Sequence, residues 1–104
     1  MNESTLDNIR DNYPFAYLQM YGAWLGLTDH MEWLESSGLA KEGEIEQLEQ
    51  ERQAEMLKIA NGAPSWPEID KRTLESCQKQ MREKADELEA WHQLITSFNV
   101  SIPR

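Results

Sequence analysis

The chain has 104 residues, with 19 Asp and Glu against 10 Lys and Arg, and its formal net charge is -9. This charge opposes nucleic-acid binding, because proteins that bind phosphate backbones use Lys and Arg to displace counterions. A hydrophobic fraction of 39% argues against disorder, while a mean hydropathy of -0.73 argues against a membrane protein. We therefore expect one folded domain over residues 1–104, and the single cysteine favours a cytoplasmic location.

Two helices are predicted before residue 38. A capping-box pattern that starts at Ser4 indicates a short N-terminal helix over about residues 4–11. The second helix is predicted over about residues 14–37, because Pro14 suits a first helical turn and Gly38 suits a left-handed C-cap. Its apolar residues recur at steps of three and four, so we expect this helix to be central in the core.

The third predicted helix, over about residues 40–61, is amphipathic and rich in Glu. Asn61, Gly62 and Pro64 mark its end. An acidic helix surface would attract a basic partner and raise the rate of association. We therefore predict that Glu46 and Glu49 bind a partner protein.

The last predicted helix is the longest, over about residues 66–98. Between Thr73 and Phe98 a seam of mostly apolar residues repeats along it at steps of three and four, with no Pro or Gly in that stretch. A straight helix of this length would approach ~50 Å, which is longer than so small a domain can cover. We therefore expect this helix to contact a second molecule, and the predicted partner-binding residues of the helix and its preceding loop are Trp66, Lys84, Leu88, Trp91, Ile95 and Phe98.

Lys84 interrupts this apolar seam. One interpretation is a side chain at the bundle edge whose stem packs while its ammonium group reaches water. The other is a polar residue that sets the register of a helix pair by meeting an acidic residue of another chain. Both interpretations stay open at this point.

The predicted fold class is all-α. Short connections between the three longer helices favour an antiparallel up-down-up three-helix bundle, with a short N-terminal helix and a long C-terminal helix. In this arrangement the second and last helices run parallel to each other. A homodimer is the expected assembly.

Gly22 and Gly26 lie four residues apart on one face of the second predicted helix, and His30 and Trp33 continue that face. Each glycine inside a helix costs about 1 kcal/mol relative to Ala, so we expect a close contact that offsets this cost. The contact is either a helix crossing inside the chain or the surface of a partner.

Motifs that carry chemistry are sparse. Glu89 and His92 form an E-x-x-H pair, the spacing by which a helix contributes ligands to a di-iron or di-manganese site. A complete site would need a second such pair, which a dimer could supply. Cys77 lies on the apolar seam, where burial keeps a thiol protonated. Since the sequence has no motif for nucleophilic catalysis or phosphate binding, we expect no enzyme activity, no cofactor and no metal.

The segment from Ala90 to Phe98, followed by Ile102 and Pro103, resembles the end of the TraM-type antiactivators. Those proteins are small helical dimers that bind quorum-sensing transcription factors. The resemblance covers less than a fifth of the chain and includes an extra residue before the Ile-Pro pair. It implies a small helical protein that disables a regulator by binding it.

The leading functional hypothesis is a non-enzymatic protein that binds another protein with a basic or apolar docking surface and modulates or inhibits it. One alternative is a DNA mimic that inhibits a DNA-binding protein, suggested by the dense Glu residues between residues 42 and 55. A second alternative is a metal-binding bundle that uses Glu89 and His92 across a dimer.

Overall fold

The computed structural model describes residues 3–65 and 69–96, with side chains from residue 6 onward. The described residues are 89% helical and contain no strand, which confirms the all-α prediction. Five α-helices and one 3₁₀ turn follow one another in the chain: α1 (Glu3–Asn12), α2 (Pro14–Ser37), α3 (Glu44–Gly62), the 3₁₀ turn (Ala63–Ser65), α4 (Lys71–Glu83) and α5 (Ala85–Thr96). Across the described ranges, no helix has both the length and the apolar character needed to cross a bilayer.

A kink at Tyr13 joins α1 to α2. The ring of Pro14 disfavours helical dihedral angles in the residue before it, and Tyr13 accordingly has φ -134° and ψ 61°. The N–H of Tyr13 still donates to the carbonyl of Ile9 at 2.7 Å, and its carbonyl accepts from Tyr17 at 3.0 Å. The helical hydrogen bonding is therefore almost continuous, and the apolar side of α1, which carries Leu6 and Ile9, reaches the core.

Glycine at position 38 ends α2 and begins a hairpin. Gly38 has φ 72°, which places it in the left-handed region, and its N–H donates to the carbonyl of Glu35. The N–H of Leu39 donates to the carbonyl of Leu34 at 3.2 Å, which completes a Schellman motif. The chain then reverses, so α3 returns along α2.

The core lies where α1, the first half of α2, the second half of α3 and α5 meet. Tyr17, Leu6 and Met20 are its largest fully buried side chains. The complete cluster of buried residues is Leu6, Ile9, Ala16, Tyr17, Met20, Tyr21, Trp24, Met56, Ala60, Ala63, Leu88, Trp91 and Ile95. Residues from both ends of the described chain are thus part of one cluster.

The unbroken helix predicted over residues 66–98 is wrong for the described residues, since α4 ends at Glu83 and α5 begins at Ala85. Lys84 between them has φ -110° and ψ 22°. A straight helix would place the Lys84 ammonium group on the apolar seam, where burial of a charge is costly. The bend leaves Lys84 exposed while Met81 and Leu88 both pack on the core.

The contacts between α2 and α5 also correct the predicted helix directions. Tyr17 of α2 contacts His92, and Tyr21, one turn further along α2, contacts Glu87. Residue numbers therefore rise along α2 as they fall along α5, so the two helices run in opposite directions here, whereas the up-down-up bundle has them parallel. The predicted last helix begins at about residue 66, whereas α4 begins only at Lys71, where Asp70 caps it, so more residues separate the two helices than the prediction assumed.

Candidate functional site

Three of the predicted partner-binding residues, Leu88, Trp91 and Ile95, lie in the core and expose at most 4% of their surface. The Trp91 ring makes edge-to-face contacts with Tyr17 and Tyr21, at centroid distances of 5.2 and 5.4 Å. These contacts attach α5 to α2 of the same chain. The prediction that this seam is an exposed docking surface is corrected here: its burial is explained by α1 and α2, without a second molecule.

The other predicted site residues have different locations. Lys84 is exposed at the bend between α4 and α5, and Glu46 and Glu49 are exposed on α3. Trp66 and Phe98 lie outside the described residues. The predicted site therefore does not form one continuous surface among the residues that the structure describes.

A polar cluster ties α1, α2 and α5 together around His92, which is 6% exposed. Its Nδ1 and the Tyr17 hydroxyl form a hydrogen bond of 2.9 Å, and its Nε2 lies 2.8 Å from Oδ1 of Asp7. The donor and acceptor of this bond depend on the tautomer of His92: with the ring proton on Nε2, where it faces the Asp7 carboxylate, Tyr17 donates to Nδ1. The Nε2–Asp7 contact is short but poorly aligned for a hydrogen bond, so its contribution is mainly electrostatic.

This cluster has the composition of a proton relay, but its environment suits a structural clamp. Burial, opposed in part by the charge of Arg10, raises the pKa of Tyr17 from 10.0 to about 12. A hydroxyl with this pKa stays protonated at neutral pH, and Tyr17 is only 2% exposed, so a substrate could not reach it. Tyr21 donates a second hydrogen bond between α2 and α5, of 2.8 Å, to Glu87. Burial is the largest cause that raises the pKa of Tyr21, and this hydrogen bond is the next.

The two residues of the E-x-x-H pair, Glu89 and His92, have different surroundings, because only His92 belongs to the polar cluster. Nδ1 of His92 is hydrogen-bonded to Tyr17 and its Nε2 lies 2.8 Å from Asp7, whereas Glu89 is exposed and accepts a hydrogen bond from Gln93. A metal would have to displace Tyr17 or Asp7 from His92. Among the residues that the structure describes, no group of three or more His, Cys, Asp or Glu is placed to hold a metal ion.

An open groove runs between α2 and α3, with a volume of about 630 Å³. Its lining combines small and apolar residues with charged residues of α3. We call it the α2/α3 groove, and its lining residues are Ala23, Gly26, Leu27, Glu51, Ala54, Glu55 and Lys58. An apolar concavity with a few charged groups at its edge is typical of a binding site.

The two glycines of α2 have no close neighbour in the described chain. Apart from the adjacent residues and the neighbouring backbone of α2 itself, no described heavy atom lies within 4 Å of the position that a Cβ at Gly22 or Gly26 would occupy. The interpretation that an internal helix crossing explains these glycines is therefore wrong for the described residues. The other interpretation, a contact with a partner molecule, stays a prediction.

The glycines belong to a wider apolar surface, which we call the α2 outer face: Gly22, Leu25, Gly26 and Trp33. All four are exposed, with 38% exposure for Leu25 and 54% for Trp33. The ring of His30 stacks on Trp33 with an interplanar angle of 13° and a centroid distance of 6.4 Å. Contiguous exposed apolar surface is a candidate for an interaction surface. Sequence reasoning placed Trp33 on the glycine face and offered a partner contact through that face as one of two interpretations, but it did not include Trp33 among the predicted partner-binding residues.

The acidic residues of α3 are divided between two sides of the helix. Glu51 and Glu55 line the α2/α3 groove. At about 100° per residue, Glu46 and Glu49 lie roughly 140–160° around the axis from Glu51. A DNA mimic needs its charges in a regular array on one surface, so this division argues against that alternative.

Arg52 fixes α3 against α2 at the level of the core. Its guanidinium lies 3.8 Å from the centroid of the Trp24 ring and donates a hydrogen bond of 2.8 Å to the hydroxyl of Thr28. Burial lowers the pKa of Arg52, although Arg stays charged at neutral pH. This contact holds together the two helices that line the α2/α3 groove.

Comparisons with protein-family models, with curated proteins and with solved structures found no match to this chain. The resemblance of the segment after Ala90 to the TraM-type antiactivators stays a prediction, and part of that segment lies outside the described residues. The geometry of the chain itself is thus what supports a function.

Proposed function

We propose that this chain is a non-enzymatic protein that binds another protein through the α2/α3 groove and regulates the protein it binds. The observation that carries this proposal is the groove itself, with a volume of about 630 Å³ and a lining of small apolar and charged residues. A groove between two helices is suited to an amphipathic helix, whose apolar side packs on the apolar lining residues. The expected partner element is such a helix.

The charges of the groove favour a basic partner. Glu51 and Glu55 contribute two negative charges to the groove and Lys58 contributes one positive charge, in a chain whose net charge is -9. Lys or Arg residues that flank the apolar side of the partner helix would pair with the two Glu residues. Such complementarity speeds association and selects the orientation of the bound helix.

Regulation follows from the same binding mode. A helix held in the α2/α3 groove has its apolar side covered, so it cannot use that side to contact its own target. Competition of this kind modulates or inhibits the partner without any chemical step. The protonated, inaccessible hydroxyl of Tyr17 supports the view that the polar cluster of this chain has no catalytic role.

The experiment compares two charge reversals of equal size. Tagged wild-type protein, the double variant Glu51→Lys/Glu55→Lys and the double variant Glu46→Lys/Glu49→Lys are incubated with lysate from the cells of origin, and captured proteins are identified by mass spectrometry. Both variants change the net charge equally, but only the first alters the groove. We expect one partner to be retained by wild type and by Glu46→Lys/Glu49→Lys, and lost from Glu51→Lys/Glu55→Lys.

Two further arms separate the alternatives. Ala54→Leu adds a larger side chain to the lining of the groove without a change of charge, and it should weaken binding of the same partner. Loss of the partner only from Glu46→Lys/Glu49→Lys would contradict the groove and support the acidic side of α3 that the sequence predicts. Release of the captured protein by duplex DNA would favour a DNA mimic. Circular dichroism of each variant shows whether its fold is retained.

A further inference from the structure

The negative charge of the chain is concentrated at one end of the α2–α3 hairpin. Residues 29–51, which we call the hairpin tip, contain eight Asp or Glu residues and one Lys. Seven of the nine net negative charges of the chain therefore lie in this segment. Residues 14–28, the rest of α2, contain no Asp, Glu, Lys or Arg. The two ends of the hairpin thus differ strongly in charge.

The α2/α3 groove follows this difference in charge. Arg52 of α3 donates a hydrogen bond to Thr28, near the middle of α2, so the two helices are level with each other there. Because α3 runs back along α2, Glu51 lies toward the hairpin tip, and Lys58 lies about 10 Å further from it. Glu55 lies between these two residues. A ligand in the groove therefore meets negative charge toward the tip and a positive charge at the far end.

Two aromatic residues extend the α2 side of the groove toward the hairpin tip. At about 100° per residue, His30 and Trp33 lie within roughly 40° of Gly26, which lines the groove. The His30 ring stacks on Trp33, and Trp33 is 54% exposed. An exposed indole can bind a Lys or Arg side chain through a cation–π contact. The end of the groove near the tip thus offers both carboxylates and an aromatic surface to a basic group.

We propose that the helix bound in the α2/α3 groove carries basic residues at the end beside the hairpin tip and an acidic residue at the end beside Lys58. This inference rests on the proposed function and adds the order of charges along the partner. Each end of such a helix meets the opposite charge, whereas the reversed placement would bring like charges together at both ends. Helices commonly carry acidic residues in the first turn and basic residues in the last, so a partner of this common type runs parallel to α2.

The test uses two synthetic amphipathic peptides of identical composition and about 15 residues, which as helices span about 22 Å. One has Glu residues in its first turn and Lys residues in its last turn, and the other has these residues exchanged. Leu residues at steps of three and four give both peptides the same apolar side. A nitroxide is joined by a thioether to the Lys-bearing end of each peptide. Broadening of amide NMR signals in the isotope-labelled full chain then locates that end.

With either peptide, the amide signals of Gly38 and Leu39 should broaden more strongly than those of Lys58 and Ile59, which lie about 20 Å from the start of α3. Stronger broadening at Lys58 and Ile59 by a peptide whose binding Ala54→Leu weakens would overturn this inference alone, because the groove would still bind a helix. Absence of binding by both peptides would overturn this inference together with the proposed function.

Two variants of unchanged net charge test the electrostatic cause. Glu51→Lys/Lys58→Glu exchanges the charges at the two ends of the groove, and it should raise the dissociation constant of both peptides about tenfold at low ionic strength. The matched control, Lys79→Glu/Glu83→Lys, reverses an exposed ion pair of α4 and should leave the dissociation constant unchanged. Equal effects of the two exchanges would contradict the assigned order of charges. Circular dichroism shows whether each variant retains its fold.

Discussion

Replacement of Gly22 or Gly26 by Ala should stabilise the monomer, although glycines at helix contacts usually resist replacement. Ala is preferred over Gly in a helix interior by about 1 kcal/mol, because Gly loses more backbone entropy when the chain folds. A Cβ at either position meets no described atom within 4 Å outside the neighbouring backbone of α2, so no steric cost from the other helices opposes this gain. The free energy of unfolding should rise by about 1 kcal/mol for each replacement, and the melting temperature by roughly 5 °C.

Urea unfolding monitored by circular dichroism measures this change. The experiment is done at low protein concentration, because dimer formation would add a concentration-dependent contribution to stability. Gly38→Ala is the control: its Cβ would also meet open space, but its φ of 72° is unfavourable for Ala, so this variant should lose about 1 kcal/mol. Two substitutions into equally open space should thus change stability in opposite directions.

A lower free energy of unfolding for dilute Gly22→Ala or Gly26→Ala would refute the reasoning. It would mean that another part of the monomer packs against these glycines. The α2 outer face would then be an internal contact of the monomer.

Three further predictions concern the interior. Burial raises the pKa of Tyr17 to about 12, so the unfolded chain releases this proton above pH 10 while the folded chain retains it; stability should therefore fall between pH 10 and pH 12. In urea titrations at pH 7, Tyr17→Phe should lower the free energy of unfolding by about 1 kcal/mol, because it removes the hydrogen bond to His92. Between pH 10 and pH 12 the free energy of unfolding of this variant should fall less steeply than that of wild type, and an equal slope would contradict the raised pKa of Tyr17. Burial also raises the pKa of the Cys77 thiol, so it should react slowly with an aromatic disulfide reagent in the native state and rapidly in urea; fast native labelling would show that α4 opens readily. Arg52→Lys should lower the free energy of unfolding by about 1 kcal/mol, because Lys has no planar guanidinium to stack on Trp24. Unchanged stability in urea would show that this stacking contributes little.

Local signals in the sequence are sufficient to predict an all-α chain. Pro14 begins α2 and Gly38 ends it, each through its own backbone preference, which acts over a few residues. The bend at Lys84 has no such signal, because the residues around it are good helix formers. It results from packing: Met81 and Leu88 both contact the core while the ammonium group of Lys84 stays in water.

The candidate site was harder to predict for a related reason. A periodic apolar seam indicates that residues such as Leu88, Trp91 and Ile95 are buried, but it does not say whether their own chain or another chain buries them. In α2, apolar residues surround much of the helix, so the sequence alone does not show which side the other helices cover. The open side became evident from the exposure of Leu25 and Trp33 and from the empty space beside the glycines.

The contact between α1 and α5 has a consequence for biosynthesis. Tyr17 of α2 and His92 of α5 form a hydrogen bond although they are 75 residues apart in sequence. Leu6 of α1 belongs to the same buried cluster as Ile95 of α5. A ribosome releases the N-terminal segment well before α5 has left the exit tunnel, so during this time the apolar side of α1 lacks its contacts with α5. Folding of this chain should therefore be completed only after translation of α5, and a stalled nascent chain that lacks α5 should be sensitive to protease.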